Sequence, residues 1–311
     1  MTIKDARAYG TKTLSSVLGI KRSSTPSLDV DVLLEYILEC DKTFLLFHSD
    51  APLSTEQELW FKNAIEKRTT GLPVAYITGQ KEFFGYTFKV NQSTLIPKPD
   101  TEILVEETVK EIEKLSPKTE AKALLVCDMC TGSGCVGLSI VKYCAEEYIT
   151  LPQFLPNLTM CDISFEALNL ARENARILLS PYKAATWRFI QTNLFENVSG
   201  TFDIIVSNPP YVPLQETVKL LQDGRSEPAL ALNGDIENDG SISSSKDGLC
   251  LMRRLIPQAY EHLNAGGTLL VESGEYNADK TANIFLNTGF KEVQIINDLE
   301  GQKRITRGTK L

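Results

Sequence analysis

Five short apolar runs, KALLVCD (122–128), NLTMCD (157–162), TWRFIQ (186–191), FDIIVS (202–207) and GTLLVES (267–273), recur through the later part of the chain. Helical stretches such as FEALNLARENARILL and LCLMRRLIPQAYEHL lie between several of them. This rhythm constrains the fold to a mostly parallel sheet with helices on both faces: parallel neighbours need long crossovers, and strands buried on both sides read as continuous apolar runs. Near the end, KEVQII (291–296) and KRITRG (303–308) are close enough for an antiparallel pair at the sheet edge.

The first ninety or so residues have a different texture. In LDVDVLLEYILEC, Leu28, Val32, Leu34, Tyr36, Ile37 and Leu38 take spacings that suit a helix with a broad apolar face. STEQELWFKNAIEKRTTG opens with Ser54 and Gln57 in capping-box spacing, continues through Leu59, Trp60, Ala64 and Ile65, and stops near Gly71; Trp60 and Phe61 read as core. Then PVAYITGQKEFFGYTFKV, β-branched and aromatic around Gly79 and Gly85, reads as a hairpin. The expected organisation is a small helical domain over 1–75, a hairpin linker over 76–95 and an α/β domain over 96–311. Within the last, NGDIENDGSISSSKDG (233–248) has almost nothing to bury and reads as a mobile loop.

Composition excludes several classes. The 311 residues, 42% hydrophobic, can bury a core of two ordinary domains. With 40 acidic and 32 basic residues the formal charge is −8, which counts against nucleic acid as the main partner. No apolar run is long enough for a membrane span, and MTIKDARAYG lacks the apolar core of a signal peptide, so a cytoplasmic location without membrane attachment is expected. Cys127, Cys130, Cys135, Cys144 and Cys161 cluster, but no second CxxC accompanies the first and His48 and His262 are the only histidines. Structural zinc needs paired ligands, so small buried thiols in a reducing compartment are expected instead, and no metal.

The first apolar run of the α/β part leads into DMCTGSGCVG, where Gly132, Gly134 and Gly137 satisfy GxGxxG after a strand and before a helix. Such a loop brings a ligand against backbone at a helix N-terminus, and dinucleotides are a common occupant. Asp128, at the loop entrance, would repel a pyrophosphate; it suits a ligand with an ammonium and a sulfonium, as S-adenosylmethionine has. Asp162, at the tip of the next strand, is placed to accept from ribose hydroxyls, although it follows Asp128 by 34 residues where a dinucleotide fold has about 20. Both acids could instead only cap the helices that follow. A nicotinamide oxidoreductase competes, but it would want a proton donor, and neither histidine lies near these strand ends.

The run FDIIVS ends at Ser207 and is followed by NPPYVP. Pro209 and Pro210 carry no N–H, so the turn displays carbonyls and the Asn208 amide with few competing donors. An acceptor-rich turn fits a planar NH2 group: the Asn208 side-chain oxygen and the Pro209 carbonyl would each take one hydrogen and direct the nitrogen at a methyl carbon. Tyr211 offers a flat wall for a planar group. A rigid turn that merely closes a strand is the structural alternative.

With GLPVAYITGQKEFFG, TLIPKPDTEILVE, DMCTGSG, NPPYVP, EPALALNG, DGL and DLEGQKR, the chain resembles, over nearly its whole length, the HemK/PrmC protein-glutamine methyltransferases, which modify the GGQ glutamine of bacterial peptide chain release factors. The resemblance implies a small helical substrate-recognition domain joined by a β-hairpin to a seven-stranded Rossmann-like methyltransferase domain. It implies S-adenosyl-L-methionine as cofactor, held by Cys130, Thr131, Gly132, Ser133 and Gly134, with Asp162 on the ribose and Asn193 and Leu194 at the adenine. Asn208, Pro209, Pro210 and Tyr211 become the catalytic clamp on the substrate, with release factors as protein partners. Two positions depart from the pattern: Lys98 stands where the family usually has arginine, and Asn193 where an aspartate is common. NPPY also occurs in adenine-N6 methyltransferases, so a nucleic-acid enzyme with the same clamp is one alternative. A non-catalytic cofactor-binding or scaffolding protein is another.

Overall fold

The computed structural model describes residues 1–17, 23–116, 123–148, 151, 154–182, 185–222 and 227–311. They form two compact units: residues 1–80 with 218–227, and residues 81–217 with 228–311.

The first unit is helical, with α1 (Ile3–Ser15), α2 (Pro26–Leu38), α3 (Lys42–Phe47), α4 (Thr55–Thr69) and α5 (Val74–Thr78). Ser54 caps α4 reciprocally, its hydroxyl accepting from Gln57 N at 3.1 Å while Gln57 Oε1 accepts from Ser54 N at 2.8 Å. The core of the unit is built on Val30, Leu33, Leu34, Leu45, Phe61 and Ile65, all fully buried. Each such side chain contributes about 1.5–3 kcal/mol. The buried face of α2 runs through Val30, Leu33 and Leu34, so Leu28 and Val32, expected on the apolar face, are exposed, as is Leu59 on α4. Trp60 is half-buried and packs on Tyr36, ring centroids 5.2 Å apart. Val74–Thr78 is helix rather than strand, bounded by Pro73 and by Gly79 in a left-handed conformation. The hairpin itself is shorter than its sequence suggests: β1 (Gln80–Phe83) and β2 (Tyr86–Lys89), turning at Phe84–Gly85.

The second unit carries a seven-stranded sheet of β3 (Leu125–Met129), β4 (Asn157–Asp162), β5 (Thr186–Gln191), β6 (Phe202–Ser207), β7 (Leu263–Glu272), β8 (Lys291–Asn297) and β9 (Lys303–Thr309). Its order is β5-β4-β3-β6-β7-β9-β8. The first five strands in this order are parallel, and β9 pairs antiparallel with both β7 and β8, so β8 alone forms that edge. Neighbouring residues along the central strands feed opposite cores. Val126, Ile204, Val206 and Leu270 face the cluster built with α6 (Glu102–Leu115), α7 (Cys135–Glu147) and α8 (Phe165–Leu179). Cys127, Ile205, Leu269 and Val271 face the one built with α11 (Cys250–Glu261) and α12 (Ala278–Thr288); α9 (Leu214–Gln222) and the short α10 (Ala229–Leu232) precede these in the chain.

The order of connection reverses between β3 and β6: the chain runs from β3 outward through β4 and β5, then returns to the other side of β3. That reversal opens a crevice at the carboxyl ends of β3 and β6, the usual ligand position in open α/β sheets. The glycine loop leaves β3 there, and NPPY leaves β6.

Candidate active site

The glycine loop is held open by two carboxylates from below. Asp128, at 1% exposure, accepts through Oδ2 from the Thr131 hydroxyl at 2.6 Å and from Gly137 N at 3.0 Å. Asp162 accepts through Oδ2 from Gly132 N and through Oδ1 from Ser164 N, both at 2.9 Å. Cys130 (φ 62°), Gly132 (φ 55°) and Gly134 (φ 81°) all take left-handed backbone conformations, and so does Leu194 (φ 50°). For Cys130 and Leu194 that conformation is strained, and such strain gathers where backbone is shaped around a ligand. Gly137 is required for a different reason: a Cβ there would come within 2.9 Å of Asp128 Oδ2.

A cavity of about 470 Å³ lies over this loop. Of the residues singled out from sequence, Cys130, Gly132, Asp162, Asn193, Leu194, Asn208 and Pro210 line it together. Asp128, Thr131, Ser133, Gly134 and Pro209 lie off the lining: Asp128 and Thr131 shape the loop from beneath, Ser133 is tied through its carbonyl to Asn174 Nδ2 at 2.9 Å, and Gly134 begins α7. Tyr211, expected as a flat wall, is on no wall of this cavity. Its ring packs against the second core, and its hydroxyl donates to Glu272 Oε1 at 3.1 Å.

On the β6 side, Ser207 Oγ donates to the Met129 carbonyl at 2.6 Å, tying the end of β6 to the end of β3. Asn208 Nδ2 donates to Thr101 Oγ1 at 3.1 Å, and Oδ1 accepts no hydrogen bond among the described residues.

The segment 233–248, expected to be a mobile loop, is anchored. Fully buried Asp235 accepts from Gly248 N at 2.7 Å and from Leu214 N at 3.0 Å, and a Cβ on Gly234 or Gly248 would collide with the backbone of the other or of Tyr211. Its polar composition hid a buried acid that organises the turn around itself. The same segment brings Ile236, Glu237 and Asn238 to the cavity wall.

Residues 5–79 match the family model described as PrmC N-terminal domain, and residues 111–227 match that described as Methyltransferase small domain. The release factor glutamine methyltransferase of Buchnera aphidicola subsp. Schizaphis graminum is 32% identical over 291 residues, 94% of this chain and 95% of that protein. That of Clostridium acetobutylicum is 33% identical over 313 residues, 98% of this chain and 97% of that protein, and that of Koribacter versatilis 32% over 313 residues, 100% and 99%. The chain belongs to the release factor glutamine methyltransferase family.

In this release factor glutamine methyltransferase family member, burial raises three carboxyls of the site. Asp128 is pushed up to about 7, against the hydrogen bonds from Thr131 and Gly137 and with the Asp162 charge adding to the rise. Asp162 is raised by burial against the N–H groups of Ser164, Gly132 and Ile163. Glu272, at the carboxyl end of β7, is pushed up to about 7 by burial, opposed by the nearby Thr101 hydroxyl, by the Arg304 charge and by the hydrogen bond from Tyr211.

Sequence reasoning missed Thr101, Glu272, Asn238 and Arg254. Arg254 Nη2 donates to Asn193 Oδ1 at 3.1 Å and to Asn238 Oδ1 at 2.6 Å, so Asn193 is held through its own amide by α11 and the 233–248 segment. An acid at the carboxyl end of an apolar run, as in GTLLVES, was the signal available for Glu272. Thr101 lies within TLIPKPDTEILVE, where nothing local marks it as a partner of Asn208.

The seven cysteines are free thiols, and no group of three or more His, Cys, Asp or Glu side chains is arranged for a metal among the described residues. No helix among those residues is long and apolar enough to cross a membrane.

Proposed function

We propose that this protein is a cytoplasmic enzyme that transfers a methyl group from S-adenosylmethionine to the side-chain amide nitrogen of the GGQ glutamine of peptide chain release factors. The observation that carries this reading is the Asn208 side chain. Its Nδ2 is committed to Thr101, so its Oδ1 faces a substrate as an acceptor only, at the rim of a cavity whose other wall ends in Asp162.

The residues present fit the cofactor. Gly132 lines the cavity with no protein atom within 4 Å of where a Cβ would stand, so backbone can approach a ligand there without obstruction. Asp162 uses one lone pair of each oxygen on Gly132 and Ser164 and retains acceptor capacity for ribose hydroxyls. Leu194 and Ile236 give apolar walls, and Asn193, fixed by Arg254, offers an amide to the edge of a purine. Asp128 acts from behind the loop, setting its shape and placing a negative charge near a cationic ligand. When bound, S-adenosylmethionine supplies an electrophilic methyl group on a sulfonium.

Everything else is positioning by the chain. Asn208 Oδ1 takes one hydrogen of the glutamine NH2 and the Pro209 carbonyl the other, which favours the pyramidal nitrogen of the transition state over the planar amide. Since Pro209 and Pro210 have no N–H, few donors in the turn compete for those acceptors.

The helical unit is assigned to recognition of the protein substrate. All the cavity and clamp residues belong to the other unit, and α3 presents Phe47 at 82% and Leu46 at 55% exposure.

The test is incubation with methyl-labelled S-adenosylmethionine and either an intact release factor or total RNA. Label on the GGQ glutamine, absent with Asn208→Ala, is the expected result; label on RNA alone would replace this reading with the adenine one.

A further inference from the structure

An asparagine amide can sit either way round, and only one of the two serves a donor substrate. With Oδ1 outward, Asn208 accepts from an NH2 group; rotated by half a turn, it presents its own N–H groups to another donor and repels it. What selects the first arrangement lies one and two residues further from the cavity. Asn208 Nδ2 donates to Thr101 Oγ1 at 3.1 Å. A threonine hydroxyl has one proton, and it could equally donate that proton to an inverted Asn208. Glu272 biases the choice: it is 2% exposed, its Oε1 accepts from Tyr211 at 3.1 Å, its Oε2 is buried with no hydrogen-bond partner among the described residues, and the Thr101 hydroxyl is near enough to lower its pKa. Thr101 is equally buried, at 2% exposure, so no bulk water substitutes for either partner.

We propose that Thr101 and Glu272 are positioning residues that lock the Asn208 amide, the Glu272 carboxylate taking the Thr101 hydroxyl proton so that Thr101 can only accept from Asn208 Nδ2. This rests on the clamp role given to Asn208 above. It gives a role to the carboxylate at the carboxyl end of β7, whose buried Oε2 has no other hydrogen-bond partner among the described residues.

The lock needs Glu272 ionised. A protonated Glu272 can donate to Thr101, which frees the Thr101 proton for Asn208 Oδ1 and stabilises the inverted amide. The groups that face Glu272 are Tyr211 on the NPPY turn, Asp100 beside Thr101, Arg304 on β9 and Cys135 at the start of α7. Arg304 stays cationic, Tyr211 and Cys135 are held protonated by burial, and Asp100 is paired with Arg304 at 3.3 Å. Glu272, pushed up to about 7, is therefore the member of this group that changes charge across neutral pH, and turnover should fall as pH drops from 8 to 6.

The experiment compares wild type, Thr101→Val, Thr101→Ser and Glu272→Gln on one release factor. Expected are a tenfold or greater loss of kcat in Thr101→Val, recovery to within about threefold in Thr101→Ser, S-adenosylmethionine affinity unchanged in both, and loss of the acid limb of the kcat profile in Glu272→Gln. In the Asn208→Ala background, Thr101→Val should cost less than a further twofold. A second readout uses no substrate: in 15N-asparagine-labelled protein, the Asn208 side-chain NH2, assigned by its disappearance in Asn208→Ala, should be protected from solvent exchange in wild type and lose protection in Thr101→Val. Near-normal kcat in Thr101→Val, equal damage from Val and Ser, an additive double variant, or an unprotected NH2 in wild type would each overturn the proposal. Absence of turnover by wild type on any release factor overturns the functional reading instead, and the NH2 measurement still decides the lock.

Discussion

Asp128→Asn separates what the loop carboxylate does for folding from what it does for a ligand. The side chain is buried, its pKa is pushed up to about 7 from an ordinary 3.8, and its Oδ2 holds both Thr131 and Gly137. An asparagine with its oxygen in the same place keeps both hydrogen bonds and removes only the charge. The sign follows from the raised value: the stability this group contributes is complete below the unfolded value and is lost as pH rises towards the folded one. At about 1.4 kcal/mol per pH unit the interval caps that loss at roughly 4 kcal/mol, and local relaxation and water entry bring the expected figure to about 1–3 kcal/mol. Urea unfolding of both proteins at pH 5 and pH 8 should show the variant gaining on wild type by about that amount at the higher pH. Any loss from misplacing the new NH2 is the same at both pH values and cancels. Calorimetry adds the ligand: at pH 5 wild type is itself neutral at Asp128 and the two proteins should bind S-adenosylmethionine alike, whereas at pH 8 the variant should bind it more weakly by about 1 kcal/mol. A stability difference that does not change with pH would refute the argument that burial dominates this carboxyl.

Asn208→Ala should lower the methyl-transfer rate on the order of a hundredfold, as loss of one preorganised transition-state partner does, with cofactor affinity within about twofold by calorimetry. Asp162→Ala should do the reverse, weakening S-adenosylmethionine binding by about 1.5–3 kcal/mol through loss of a charged acceptor; unchanged affinity would return Asp162 to its work on Gly132 and Ser164 alone. Phe47→Asp, at an exposed position of α3, should reduce kcat/KM on an intact release factor about tenfold or more while leaving a short GGQ peptide unaffected, and equal values on both substrates would remove the helical unit from recognition.

The central strands were legible because burial on both faces leaves no ambiguity of pattern: NLTMCD and FDIIVS coincide with β4 and β6 residue for residue, and TWRFIQ coincides with β5 although that edge strand is at most half-buried. Where one face is wet the reading weakened: on α2 the buried set Val30, Leu33 and Leu34 competes with equally apolar Leu28 and Val32, and only packing against α1 and α4 chooses between them. At Val74–Thr78 β-branched content argued for strand, but Pro73 and left-handed Gly79 bound a single helical turn and a half. The candidate site was legible where backbone chemistry announces it, in the left-handed glycines Gly132 and Gly134, in Gly137 without room for a Cβ, and in prolines without an N–H. It was not legible where a role depends on neighbours far away in the chain. Thr101 and Asn208 are separated by 107 residues, and nothing local to either states that one orients the other. Asp235 was hidden in the same way, since a buried acid inside a polar segment looks like every other acid in it.

The pairing of Met129 with Ser207 across adjacent parallel strands has a consequence for how such an enzyme holds its tolerance. The loop assigned to the methyl donor and the turn assigned to the acceptor are mounted on neighbouring rungs of one ladder, so the gap between them is gauged by the interstrand spacing of about 4.8 Å rather than by any hinge. Side chains around the rim can change without altering the offset between the two reacting groups. What such a ruler cannot tolerate is slippage: a one-residue shift of β6 against β3 would reverse the faces of the whole of β6, exchanging Ile205 for Ile204 between the two cores, and burial on both sides is what forbids it.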